Sequence, residues 1–383
     1  MFIAACLVSL VQDRTFPEGS ADSMRVMQII GSKGGGGAEG FFVRLTNALH
    51  DSGGELLAVT LPESEASYGL KSGLPQQHIA MRGVWDLWAR WRISRAIREF
   101  RPHVVQTWMG RATRLVSLER GRLPVHVARL GGYYKLPSYR HVHAWIGNTA
   151  GICDYLRENG FPSERVFHIG NFVEPAPAAD PARIIETRRR FGIPEDALLI
   201  ASAGRLHPVK GFSDLLQAFS ILPPTIAGRP LHLLIAGDGE LASSLRDQAV
   251  NFGISGRICW AGWQRDIGPL LEMSDIFACP SRHEPLGNII LEAWAHGKPV
   301  VSTATKGALE IMSHERDGLI VPCAEPEGLA NAMRELLVSG AKTLSLIGEA
   351  GRSTLLREHG KEHVIQQYQE LYRQLMRESE GDG

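Results

Sequence analysis

The chain has 383 residues, of which 44% are hydrophobic and 21% charged, as is typical of a soluble globular protein of two domains. No stretch reaches the ~18 to 20 consecutive apolar residues of a membrane span. Five cysteines without a C-x-x-C pair or a histidine cluster argue against a disulfide framework or a zinc site, and favour a reducing, cytoplasmic compartment. A formal net charge of zero argues against nucleic-acid binding.

Charge is nevertheless unevenly distributed along the chain. Residues 24–172 carry 19 Lys and Arg against 11 Asp and Glu, whereas residues 173–383 carry 21 against 27. We therefore expect the first half to meet any anionic partner. Residues 1–23 contain a short apolar run without a basic start or a clear cleavage site. They are interpreted as an extension outside the fold rather than a secretory signal.

Strand and helix patterns alternate from Met24 onward, beginning with the strand "RVMQII", a glycine loop and the helix "FFVRLTNALHDSG". This alternation predicts an α/β fold with a parallel sheet. A segment rich in Pro and Ala then separates a second series of the same kind. The predicted units are a first domain at 24–172, a linker at 173–195, a second domain at 196–360, and a helix at 361–383 that folds back onto the first. Two doubly wound domains would bind ligands in a cleft at the carboxyl ends of their strands.

The first candidate site is the glycine loop Gly34, Gly35, Gly36 and Gly37, between a strand and a helix. Its backbone amides could hold an anion, and four consecutive glycines favour close approach to a substrate. The loop matches neither the dinucleotide fingerprint nor the P-loop, whose lysine follows the glycines. A tight flexible turn without a ligand is the alternative.

The second candidate is "GRLHPVKG" after the first strand of the second domain. Arg205 and Lys210 lie five residues apart across a turn, with Gly211 opening a helix. Two cations and a helix N-terminus suit a diphosphate. A pair of solvated surface cations is the alternative.

The third candidate is "SRHEPLGNIILEAW", with Glu284 on a loop and Glu292 on the second turn of the following helix. A carboxylate beside the core must be paired or hydrogen-bonded, and sugar or ribose hydroxyls are suitable donors. Alternatively, Glu284 is a helix N-terminal acid and Glu292 a surface residue.

These motifs together resemble family 4 of the retaining glycosyltransferases, which have the GT-B fold. The resemblance rests on E-x7-E around "EPLGN", on "AGRLHPVKGFSDLLQAF", "LLIAGDGE" and "DGLIVPCAEPEGLANAM", in this order. It covers residues 25 to about 375 and is strongest from 200 to 335. The sequence of the first domain resembles the sequences of bacterial enzymes that build lipopolysaccharide or other cell-surface glycans.

The resemblance implies a metal-independent, retaining transfer of a hexose from a UDP- or GDP-linked sugar, with no cofactor. Glu284 would face the transferred hexose and be required for catalysis. The glycine loop would close on the donor from the first domain. The remaining donor contacts would be Arg205 and Lys210 for the diphosphate, Glu292 for the ribose, and Leu286, Gly287 and Asn288 for the sugar or distal phosphate.

The first domain departs from the family pattern. Where many members have a histidine facing the donor sugar, this sequence has Trp108. Arg129, Gly131 and Tyr133 are predicted to shape the acceptor side instead. A nucleotide-sugar epimerase or hydrolase of the same fold, or an inactive nucleotide-sugar-binding protein, stays open as an alternative.

A segment rich in Trp and Arg bears on the acceptor. Residues 81–103 hold three tryptophans and six arginines against two acids. Such a helix could rest on an anionic membrane, which predicts a peripheral location on the inner face of the cytoplasmic membrane and a lipopolysaccharide-core or lipid-linked acceptor. The alternative is a helix that packs its Trp and Ile into the domain and leaves the arginines solvated.

Overall fold

The computed structural model describes residues 24–177 and 180–381, so the prediction for residues 1–23 lies outside the described residues. Two parallel sheets form the framework, each covered by helices on both faces. The fold is α/β with two Rossmann-like domains. Among the described residues, no helix is both long enough and apolar enough to cross a bilayer.

The first sheet has the strand order β3-β2-β1-β4-β5-β6-β7. Its strands are β1 (Arg25–Ile30), β2 (Glu55–Thr60), β3 (Gln76–His78), β4 (Val104–Trp108), β5 (Val125–Leu130), β6 (Ala144–Gly147) and β7 (Val166–His168). The helices of this domain are α1 (Gly37–Asp51), α2 (Glu65–Gly69), α3 (Leu87–Phe100), α4 (Met109–Leu115) and α5 (Ala150–Glu158). The reversal between β1 and β4 opens a crevice at the carboxyl ends of these strands.

The second sheet repeats this plan with the order β11-β10-β8-β12-β13-β14. Its strands are β8 (Leu198–Ala203), β9 (Thr225–Ile226), which pairs antiparallel with β10 (Arg229–Ala236), then β11 (Ile258–Gly262), β12 (Ile276–Cys279), β13 (Val300–Thr303) and β14 (Leu319–Val321). The helices that follow α5 in the chain are α6 (Pro181–Arg190), α7 (Phe212–Ile221), α8 (Ala242–Asn251), α9 (Gly268–Met273), α10 (Asn288–Ala295), α11 (Lys306–Ile311), α12 (Pro326–Val338), α13 (Ala341–Glu358) and α14 (Lys361–Gly381).

The segment predicted as a linker contains helix α6. Asp180 caps this helix by accepting a hydrogen bond from the Ala182 amide at 3.0 Å, and Pro181 occupies its first turn. Arg188 is buried and donates to the carbonyls of Ala197 at 3.0 Å and Met273 at 2.8 Å. Helix α6 is therefore docked on the second domain.

The last helix, α14, packs against the first domain. Its Tyr368 and Tyr372 are fully buried. The Tyr372 hydroxyl donates to Gln106 Oε1 at 2.8 Å and accepts from Gln28 Nε2 at 3.1 Å. These partners lie on β4 and β1, so the end of the chain completes the core of the domain with which the described residues begin.

A cluster of buried histidines predicts that the first domain is sensitive to acid. Burial lowers the pKa of His126 well below its ordinary value, and the neighbouring His141 and His143 lower it further. A histidine in the unfolded chain titrates near pH ~6.5. Below that pH the histidine is protonated in the unfolded state but stays neutral in the folded state. The free energy of unfolding therefore falls as pH falls.

We expect the urea midpoint of unfolding to fall between pH 7 and pH 5.5, and more steeply in the native chain than in His126→Gln. One such histidine contributes up to about 1.4 kcal/mol per pH unit in this window. Chemical denaturation followed by circular dichroism at several pH values measures both slopes. Identical slopes in the two proteins would show that His126 is not a source of the acid sensitivity.

Candidate active site

A cleft with a volume of about 1270 Å³ lies between the two domains. The glycine loop borders it from the first domain, and the loops after β8, β10, β11 and β12 border it from the second. The structure places three predicted motifs in this one cleft. Its predicted lining residues are Gly34, Gly35, Gly36, Gly37, Arg205, Lys210, Glu284, Asn288 and Glu292.

Glu284 and Lys210 form an ion pair within the cleft. Both side chains are partly shielded, at 15% and 25% exposed. The Ser281 hydroxyl lies 3.5 Å from the same Glu284 oxygen. The carboxylate is thus held by a cation and a hydroxyl, which offsets the cost of removing it from water.

Backbone contacts fix the two loops that carry this pair. The amide of Arg282 donates to the carbonyl of Val209 at 2.9 Å, which ties the Glu284 loop to the Lys210 turn. The amide of Gly307 donates to the carbonyl of Glu284 at 3.0 Å. Lys210 ends a short 3-10 turn, and Gly211 follows it in the left-handed conformation at φ 66°. The ion pair is therefore set by the strand ends and turns of the second domain.

Arg205 lies on the loop after β8 and is exposed toward the cleft. The amide of Leu206 donates to the carbonyl of Asp238 at 2.9 Å, and this bond fixes the loop beside the turn after β10. Lys210 and Arg205 thus border the same cleft from one loop. Helix α10 begins beside them after Gly287, which has φ 89°. Two cations and a helix N-terminus make this part of the cleft suitable for an anion.

Glu292 contacts an arginine of the first domain. Arg44 on α1 lies with its Nη1 3.6 Å from Glu292 Oε1, and both side chains are partly buried. Burial raises the pKa of Glu292, while the charge of Arg44 opposes that rise. Arg44 also has a buried Nε without a hydrogen-bond partner in the described residues. Arg44 carries no local sequence signal, and sequence analysis did not find it.

The glycine loop approaches the same helix. A Cβ atom on Gly37 would lie 2.9 Å from Asn288 Nδ2, so the start of α1 lies close to the start of α10. Asn171 Nδ2 donates to Asn288 Oδ1 at 2.6 Å from the first domain. The start of α10 is therefore held between both domains.

Within the described part of the chain, no group of three or more His, Cys, Asp or Glu side chains could hold a metal ion.

The comparisons with known proteins identify the family. Residues 35–176 match the family model of Glycosyltransferase Family 4, and residues 183–354 match that of Glycosyl transferases group 1. The chain is 32% identical to the lipopolysaccharide core biosynthesis glycosyltransferase LpsE of Rhizobium meliloti, over 88% of this chain and 95% of LpsE. The chain is therefore a glycosyltransferase, with a Glycosyltransferase Family 4 domain followed by a Glycosyl transferases group 1 domain.

LpsD of the same organism, also named a lipopolysaccharide core biosynthesis glycosyltransferase, is 33% identical over 89% of this glycosyltransferase and 96% of LpsD. Among solved structures, Anabaena HepE in complex with UDP and glucose has a TM-score of 0.79 at 19% identity, covering 92% of this chain and 100% of HepE. The fold is therefore GT-B, and the predicted fold class and enzyme class are confirmed.

Arg129 of the glycosyltransferase does not face an acceptor, and this prediction is corrected. Its side chain is 2% exposed. The guanidinium lies 4.6 Å from the ring centroid of Trp108 and 4.7 Å from that of Phe41. It donates to the hydroxyl of Tyr368 at 3.3 Å and also to Asn171 Oδ1. Two aromatic faces and two hydrogen-bond acceptors surround the buried guanidinium and stabilise its charge.

Trp108, at the place of the usual histidine, is buried as well. Its Nε1 donates to Gln28 Oε1 at 2.7 Å. Arg129 and Trp108 therefore belong to one buried polar network. It runs through Tyr368, Arg129 and Asn171 to Asn288 at the cleft.

Tyr133 lies against residues of the second domain. The Nζ of Lys306 lies 4.8 Å from its ring centroid, and the ring of His283 lies 6.4 Å away. Gly131 is close to Arg129, since a Cβ there would lie 3.1 Å from Arg129 Nη1. Contact of Tyr133 and Gly131 with an acceptor stays a prediction.

Proposed function

We propose that this glycosyltransferase transfers a hexose from a UDP- or GDP-linked sugar to a lipopolysaccharide-core or lipid-linked glycan acceptor, with retention of configuration and without a metal ion. The observation that carries the donor assignment is the group of Arg205, Lys210, Glu284 and Glu292 in one interdomain cleft. The names of LpsE and LpsD support the acceptor class. The complexes of HepE with UDP and with UDP-glucose support a nucleotide sugar. We place the reaction on the cytoplasmic face of the membrane, where such donors are made.

The proposed chemistry follows from where charge develops. Breaking the bond between the sugar and the phosphate leaves negative charge on the diphosphate and positive charge on the anomeric carbon. Lys210, Arg205 and the N-terminus of α10 stabilise the diphosphate, so that a metal is not needed. Glu284 faces the sugar and stabilises the positive carbon or orients its hydroxyls. Lys210 forms an ion pair with Glu284, and a bound diphosphate would share the Lys210 ammonium with that carboxylate.

A panel of UDP-, GDP- and ADP-sugars, each with and without lipopolysaccharide-core acceptor, tests the proposal. We expect consumption of one donor that depends on the acceptor, with a product whose anomeric configuration matches that of the donor. Donor loss without acceptor would indicate a hydrolase, and a changed sugar in the released nucleotide sugar would indicate an epimerase. Tight donor binding without any turnover would indicate a binding protein and overturn the transferase assignment.

The pair of Glu292 and Arg44 yields a prediction for donor binding. If Glu292 is a carboxylate that accepts hydrogen bonds from the ribose hydroxyls, removing the charge of Arg44 raises the pKa of Glu292 further, because Arg44 opposes the rise that burial and Asp266 cause. Arg44→Met should therefore bind UDP or GDP more weakly, with a deficit that grows from pH 8 to pH 6. Calorimetric titration across this range measures it.

Arg44→Lys, which keeps the charge, is the matched control and should restore the native pH profile. An equal loss of affinity at all pH values in Arg44→Met would mean that Arg44 positions the site but does not control the ionisation of Glu292.

A further inference from the structure

The surface of α3 departs from the usual arrangement of an amphipathic helix. Ala89, Ile93 and Ile97 are buried against the first domain. Large apolar side chains on its opposite face and just before its start stand in solvent: Leu87 is 76% exposed, Trp88 64%, Trp91 47%, and Trp85, which precedes the helix, 71%. We call these four residues the tryptophan surface. The alternative in which the tryptophans pack into the domain is wrong.

Three members of the tryptophan surface are neighbours on α3. Trp88 and Trp91 stack with their ring centroids 5.0 Å apart. Leu87 lies one helical turn before Trp91, so both are on the same edge of α3. Isolated exposed apolar residues are ordinary, whereas a cluster of large ones marks an interaction site.

Positive charge surrounds this apolar cluster. The guanidinium of Arg114 lies 4.7 Å from the Trp85 ring centroid, and that of Arg95 lies 5.9 Å from the Trp91 ring centroid. The two acids of the segment are already engaged, since Asp86 caps α3 and Glu99 pairs with Arg95 at 2.6 Å. Further arginines of the segment are exposed or half-buried: Arg82, Arg90, Arg92, Arg98 and Arg101.

We propose that the tryptophan surface and its arginines bind the enzyme to an anionic lipid bilayer. Indole rings are amphipathic and prefer the boundary between headgroups and acyl chains. Arginines beside them are attracted to the negative surface potential of anionic lipids. Trp and Arg together on one exposed helix edge match this occupant in both polarity and charge. Binding to a bilayer requires neither donor nor acceptor, so this inference goes beyond the proposed transfer reaction.

Co-sedimentation of the full chain with vesicles tests this proposal. We expect the protein to sediment with vesicles of phosphatidylglycerol and phosphatidylcholine in equal parts, to stay in solution with phosphatidylcholine alone, and to be released by high salt. Trp85→Ala, Trp88→Ala and Trp91→Ala combined should weaken binding by about tenfold or more. Arg92→Gln and Arg98→Gln combined should also weaken it and reduce its dependence on salt.

Two exposed apolar residues of the second domain provide the matched control. Val250→Ala and Leu346→Ala, at sites 65% and 64% exposed, should leave vesicle binding unchanged. Glu284→Gln should bind vesicles like the native chain, so a failure of the sugar-transfer proposal is distinguishable from a failure of this one. Native protein that stays in solution with both kinds of vesicle would overturn the bilayer assignment. So would a triple tryptophan variant that binds as well as the native chain.

Discussion

Replacing Glu284 with Gln should lower sugar transfer by about a hundredfold to a thousandfold while leaving donor binding intact. Gln keeps the size of the side chain and removes the negative charge that the proposed mechanism places beside the anomeric carbon. It also releases Lys210 from its ion pair, so the affinity for the donor diphosphate should be equal to or higher than that of the native enzyme. Initial rates at saturating donor, with calorimetric titration of the nucleotide, separate the two effects.

A matched carboxylate outside the cleft controls for the loss of charge. Glu327 is exposed on α12, and Glu327→Gln should keep full activity. Native turnover in Glu284→Gln would remove Glu284 from the catalytic assignment. A large loss of donor affinity with unchanged turnover of bound donor would mean that Glu284 binds the ground state rather than favouring the reaction.

Replacing Gly211 with Ala should both destabilise the protein and reduce its activity more than tenfold. Gly211 has φ +66°, and a Cβ atom there would lie 1.9 Å from the carbonyl oxygen of Pro280. The left-handed conformation costs an alanine about 1 to 2 kcal/mol, and relieving the overlap costs about 1 to 3 kcal/mol more. The overlap is relieved only when the Lys210 turn or the Glu284 loop moves, so the ion pair is disturbed as well.

Gly253 provides a control that separates the cost of the left-handed backbone from the cost of atomic overlap. It has φ +67°, yet no atom lies within 4 Å of the position of its Cβ. Gly253→Ala should therefore show only the conformational cost, with native activity. Thermal unfolding and initial rates of both variants measure the difference. Equal losses of stability in the two variants would show that the loops are free to yield and do not fix Lys210 and Glu284.

The donor side of the site was predictable because its signals are local. Glu284 and Glu292 lie on one loop and helix, and Arg205 and Lys210 on one turn, so spacing alone indicates which groups share an edge of a parallel sheet. The alternation of strands and helices likewise predicts the two-domain plan. The roles of these residues stay predictions.

The contribution of the first domain was less predictable because its partners are distant in sequence. Arg129 was expected at the acceptor, but it bonds to Tyr368, which is 239 positions later. Arg44 meets Glu292 only once both domains are placed. The tryptophans of α3 show the same limit. The sequence predicts an amphipathic helix there, but the covering of its Ile face and the exposure of its Trp face depend on the neighbouring helices.

The position of α14 has a consequence for building chimeric enzymes. Under the proposed function, an exchange of acceptor specificity would transplant residues 24–172 from a relative onto the second domain. The transplanted core would then meet a foreign α14, although Tyr372 must bond to Gln28 and Gln106, and Tyr368 to Arg129. Because Arg129 also reaches Asn288 through Asn171, a mismatch there would disturb the donor cleft as well. The exchangeable module is therefore discontinuous, and it includes the last helix of the chain.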